Sequence, residues 1–103
     1  MTEAELIERV IEDLEISTEY MDAAAREATE RKVALCVGAA QEYITREGVT
    51  LTDSQGDSQL IIMFASFLYR GGDSVRMPKM LRYQLNNRLM QETITGYNPA
   101  AVP

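Results

Sequence analysis

One run constrains this chain more than any other: Leu60-Ile-Ile-Met-Phe-Ala-Ser-Phe-Leu-Tyr69, ten residues with almost no polar side. Ten residues are about half of what a bilayer requires, so the run does not read as a membrane span. Flanked by Asp57 and by Arg70-Gly71-Gly72-Asp73, it predicts a helix from about Asp57 to Tyr69. A helix that is apolar all round is buried on most sides. A chain of 103 residues is about one domain and has little interior to enclose such a helix. Either the remaining helices wrap it, or another subunit covers one side.

The rest of the chain also reads as helix. Thr2 and Glu5 have capping-box spacing, with the hydroxyl placed to accept from the Glu5 amide and the carboxylate placed to reach back. Leu6, Ile7, Val10, Ile11 and Leu14 then recur at helical spacing, with acids over the remaining surface. The late acids, Glu12, Asp13 and Glu15, oppose the helix dipole and point to a role other than local helix stability. Ser17 or Thr18 is the expected cap of a long second helix that runs to about Glu47 and stops at Gly48. Alanines from Ala23 to Ala28 favour it, and Val33, Cys36, Val37, Ala40, Tyr43 and Ile44 share one face. Gly38 costs about 1 kcal/mol against alanine, and either permits a close crossing or is simply tolerated. Residues 48–57 read as the longest internal loop, flexible and suited to contacts, with Val49 to Leu51 too short for a sheet. Pro78 opens a fourth helix with a stripe of Met77, Leu81, Leu85 and Leu89, and Met80 and Met90 lie beside it. The expected architecture is all-α: a small antiparallel bundle of about four helices, one domain to about residue 93, followed by an extended tail over residues 94–103.

Charge is distributed unevenly. The net charge is −6, yet residues 1–30 hold ten acids and two bases while residues 71–103 hold two acids and four bases. The acidic excess argues against a general nucleic-acid binder, which needs a basic face to displace counterions. The polarity suits head-to-tail contact between copies, a geometry that can close into rings. The plainer alternative is a solvated acidic helix beside a slightly basic one. The acidic N-terminus does not resemble a secretory signal, so a soluble protein made in a cytoplasm is expected.

Residues that carry chemistry are scarce. Histidine is absent, which removes the commonest general base and transition-metal ligand. The single cysteine, Cys36, lies among Val33, Leu35 and Val37 and reads as an inert packing residue. The helix-one carboxylates are not set apart as an acid–base pair. Asp53-Ser-Gln-Gly-Asp57 lacks the ligand series of a calcium loop. Gly71-Gly72 follows a helix and precedes no Gly-Lys-Ser/Thr, so it reads as a chain reversal. Arg70, Arg76, Lys79, Arg82 and Arg88 form the only basic concentration, better suited to a protein interface than to base reading, and Tyr69 and Tyr83 beside them read as packing or interface residues. No enzyme, catalytic residue, metal site or cofactor is expected.

Two stretches carry a resemblance. The run Leu60 to Arg70, a Gly/Asp turn, Met77-Pro78 and then Met80-Leu81 through Leu89 resembles the gp6-like head-tail connector (head completion) family of tailed bacteriophages. So does Val37-Gly-Ala-Ala-Gln-Glu-Tyr-Ile44 followed by Gly48. Leu14-Glu15-Ile16 departs from the family, which usually carries arginine at the middle position, and Tyr20 to Arg31 lengthens the second helix. The resemblance implies a homo-oligomeric ring of about a dozen copies beneath the portal protein of a virion. Such a ring extends the DNA channel, lets DNA pass without specific binding, and docks the next neck or tail protein. Subunit contacts are then expected at Arg70, Arg76, Arg82, Arg88 and Tyr97, with the loop from Gly48 to Gly56. Glu5, Glu8, Glu12 and Glu15 are candidates for a channel-facing acidic wall, because such a wall repels phosphate. The alternative reading is a small acidic helical adaptor or regulator of a single protein partner.

Overall fold

A computed structural model describes residues 1–73 and 76–96. Within them the chain is all-α, with α1 (Glu3–Asp13), α2 (Ala23–Glu47), α3 (Gln55–Tyr69) and α4 (Lys79–Gly96) gathered into a bundle. The expected fold class holds, including the long second helix. Its cap differs from expectation. Asp22, not Ser17 or Thr18, accepts from the Ala25 amide at 2.7 Å. The segment before it is a turn held by the Met21 amide and the Arg26 guanidinium, both donating to the Thr18 carbonyl. Thr18 cannot lead a helix from inside that turn, and Asp is among the best capping residues.

Three helix ends close in the same way. Beyond α2, the Val49 amide reaches back to the Ile44 carbonyl and the Gly48 amide to Thr45. Beyond α3, Gly72 reaches Phe67 and Gly71 reaches Leu68. Beyond α1, Ile16 reaches Ile11 and Glu15 reaches Glu12. This paired bonding satisfies the last carbonyls and requires a left-handed residue at its centre. Gly48 (φ 115°) and Gly71 (φ 86°) supply it without cost, whereas Glu15 (φ 58°) carries a side chain there, at about 1 kcal/mol. Gly72 has a second constraint, since a Cβ on it would overlap the Phe67 ring.

Helix α3 is the centre of the molecule. It packs against α1, α2 and α4, and Leu60, Ile61, Ile62, Phe64 and Ala65 are all buried. Leu6 and Val10 reach it from α1, Val33, Val37, Ala40 and Ile44 from α2, and Leu81 and Leu85 from α4. The other three helices thus wrap most of the apolar run, while Met63, Phe67, Leu68 and Tyr69 are partly buried. Phe64 is the hub, with its ring 4.9 Å from Tyr43 and 6.4 Å from Phe67. Gly38 is not a crossing point. It is exposed, and a Cβ there would meet nothing within 4 Å.

The connection between α2 and α3 is shorter and more ordered than a flexible loop over 48–57. Ser54 caps α3 by accepting from the Asp57 amide, so the first turn takes up Gln55, Gly56 and Asp57. Val49 is buried, and the Asp57 carboxylate accepts from both the amide and the hydroxyl of Thr52 at 2.9 Å. It is also not the longest connection, because the turn between α1 and α2 has more residues. At the other end, α4 continues to Gly96, so residues 94–96 belong to the helix and not to a tail.

Candidate functional site

Arg88 is a structural residue. It lies on α4 with its side chain only 16% exposed, against an Asp57 that is 2% exposed. Its Nε donates to Asp57 Oδ1 at 2.6 Å, and one terminal nitrogen donates to Asp57 Oδ2 and to the Thr50 carbonyl. The other donates to Glu92 at 2.8 Å. One guanidinium thereby ties α4 to the start of α3 and to the preceding loop. Burial alone would push the Asp57 carboxyl up, but the hydrogen bonds from Arg88 and Thr52 and the guanidinium charge hold it below the usual value. Hydrogen bonding to Asp57 raises Arg88 in turn. Hydrogen bonding from Thr50, and then from Arg88, lowers Glu92.

This cluster forms the floor of an open cleft of about 930 Å³ between Thr50, Thr52 and Ser54 of the loop, with Gly56 at the start of α3, and the α4 residues Gln84, Asn87, Gln91 and Ile94. Every nitrogen of Arg88 is already engaged by this chain, so the guanidinium is not free to grip a phosphate. Among the described residues no group of three Asp, Glu, Cys or His side chains could hold a metal. No helix there is long and apolar enough to cross a membrane. Cys36 is half-buried, and burial pushes its thiol up more than nearby Lys32 brings it down, so it is not an activated nucleophile.

The structure separates the remaining expected interface residues. Arg82 is half-exposed and pairs with Glu47 of α2 at 3.3 Å. Arg70 and Arg76 are exposed at the two ends of the α3–α4 turn. Tyr97 lies outside the described residues. On α1, Glu5, Glu8 and Glu12 are exposed, and Glu15 is exposed just beyond the helix. None of the four makes an ion pair with another described residue. Glu5 instead completes the cap: its amide donates to Thr2 Oγ1 and its carboxylate accepts from that hydroxyl, each at 3.2 Å.

One surface is only partly legible in the sequence, through Met80, Met90 and Tyr83. Helix α4 has an inner stripe, in which Leu81 and Leu85 are buried and Met77 and Leu89 partly so. It also has an outer one, where Met80, Tyr83, Met90 and Ile94 are 62–67% exposed. Among the described residues, Tyr20 on the α1–α2 turn and Leu35 on α2 are the other large exposed apolar residues, each alone on its segment. Single exposed apolar residues are ordinary, whereas four along one helix face are not. The signal was present as 3-4 spacing from Met80 to Ile94, hidden behind the stronger i, i+4 leucine stripe. Comparison with protein-family models, curated proteins and solved structures finds no match for this chain.

Proposed function

We propose that the chain is a structural subunit of a phage neck, a head-tail connector or head-completion protein. In this role it assembles as a ring under the portal, extends the DNA channel and docks the next neck or tail protein. The observation that carries the reading is the second half of the chain. An apolar helix ends in Tyr69-Arg70, a glycine-closed turn follows, and Pro78 precedes the last helix, which is the order of elements that the family resemblance implies. Two further features support it. The turn carries exposed Arg70 and Arg76, exposed Lys79 opens α4, and α1 carries an exposed row of acids that form no ion pair among the described residues. Those opposite charges suit a head-to-tail contact, and any part of the acidic row facing the lumen repels passing DNA.

The wrapping of α3 weakens one argument for assembly, because three helices of the same chain already bury most of its apolar surface. That favours the second reading, a self-sufficient adaptor or regulator. Electron microscopy of the protein mixed with purified portal rings of tailed phages separates the two. Added ring density on the portal is the expected result. A protein that leaves portals undecorated and captures a single non-structural partner instead would sink the connector reading. In a decorated complex, Glu5, Glu8, Glu12 and Glu15 on the outer rim would refute the channel-wall role.

A further inference from the structure

We propose that α4 pairs, parallel and in register, with α4 of a second copy of this chain along Met80, Tyr83, Asn87, Met90 and Ile94. The pairing goes beyond the connector reading and does not rest on it. The five positions are separated by three, four, three and four residues, the spacing that keeps one helix face against another over successive heptads. Asn87 occupies the central position and is exposed. In a parallel pair it meets the other Asn87, and an amide carries both donor and acceptor, so two of them satisfy each other across a two-fold axis.

Charge argues for a copy of the same chain as the occupant. A homotypic contact places each residue near its own twin, so any charge on the seam would face a like charge. Between Met80 and Ile94 the flanking positions are Gln84, Asn86, Gln91 and Thr93, all neutral, and the charged flanking residue on α4 is Lys79 at its N-terminal end. The charged residues of α4 between Met80 and Ile94 are Arg82, Arg88 and Glu92, and each is already ion-paired within its own chain. From Met80 to Ile94 the face that remains carries no free charge, so two copies of it meet there without repulsion. Area agrees as well. With their flanking amides, the exposed seam residues offer on the order of 600 Å² per copy, at the lower edge of specific dimers, which bury roughly 600–1,000 Å² per partner. The small area implies a reversible, concentration-dependent pair.

The test has two arms on the full chain. Sedimentation over a wide concentration range is expected to show self-association, and Met90→Glu with Ile94→Glu is expected to weaken it about 100-fold while circular dichroism stays helical. In a Cys36→Ala background, Asn87→Cys and Met80→Cys are each expected to form inter-chain disulfides about tenfold faster than Thr45→Cys, an exposed control on α2. The Met80→Cys variant fixes direction. An antiparallel pair centred on Asn87 would set the two copies of residue 80 about 21 Å apart, beyond disulfide reach. Cross-linking at residue 87 without cross-linking at residue 80 overturns the parallel register. Wild-type protein that stays monomeric throughout, or cysteines no faster than the control, overturns the pairing. Should the glutamate variant lose helicity, the cysteine arm still decides. A wild-type chain that decorates portals yet stays monomeric in sedimentation refutes the pairing and leaves the connector reading standing, whereas a seam dimer that ignores portals does the reverse.

Discussion

Helix α3 places eight of its residues in the interior, whereas α4 buries Leu81 and Leu85 and leaves Met80, Tyr83, Met90 and Ile94 in solvent. Both helices are rich in large apolar side chains. On α3 they leave almost no polar face, and three neighbouring helices bury most of them. On α4 they fall into two stripes, and the bundle has surface for one. The amount of apolar residue in a helix thus says how much needs covering, while its spacing says how many separate surfaces need a cover.

The largest expected effect tests that distinction directly. Phe64→Ala removes a side chain that is 1% exposed and touches two other rings, and should cost about 3–5 kcal/mol in urea unfolding followed by circular dichroism. Met90→Ala, at dilutions where the chain is monomeric, should stay within about 0.5 kcal/mol. Comparable losses from the two would erase the contrast between the helices.

Next in size is the ion pair that joins them. Arg88→Met leaves the Asp57 carboxylate buried without its partner and should cost about 3 kcal/mol. Arg82→Met, which breaks an exposed pair with Glu47, should cost less than about 1 kcal/mol. The pH dependence follows from the lowered Asp57 value. A carboxyl whose folded value is depressed contributes stability in full above its unfolded value, about 3.9, and loses it as pH falls through the folded value. Wild-type stability should therefore decline across that acid window, and Asp57→Asn should flatten the decline. An unchanged acid slope in Asp57→Asn would mean that other carboxylates dominate it.

Much of the fold was legible because helix signals are local. The Thr2–Glu5 cap, the stop at Gly48 and the inner leucine stripe each depend on residues within a turn or two of one another. What escaped depended on distance or competition. Asp57 lies in a segment that reads as loop, and nothing near it announces Arg88, 31 residues away, as its partner. A basic cluster in sequence therefore looked like a free interface, when Arg88 is engaged inside the molecule and Arg82 partly so. The start of α2 was misplaced for a related reason. Ser17, Thr18 and Asp22 are all capable caps, and the choice falls to Asp22 because the Thr18 carbonyl is held by Arg26, a contact eight residues away. The outer α4 stripe was local, and was only partly legible because a stronger pattern shared its residues.

The smallest effect probes the one uncomfortable group in α3. Ser66 is 1% exposed, and its hydroxyl has no hydrogen-bond partner among the described residues. A buried hydroxyl in that state costs stability, and alanine is also the better helix former. Ser66→Ala should therefore stabilise the protein by about 1 kcal/mol. The matching change on α4 is Thr93→Val, which removes a surface hydroxyl that bonds the Leu89 carbonyl at 3.1 Å. Water replaces that bond readily, and valine and threonine have similar helix propensity, so the effect should stay within about 0.5 kcal/mol. If Ser66→Ala destabilises instead, the hydroxyl has a partner in solution, such as a buried water, and α3 is less completely enclosed by protein than its neighbours imply.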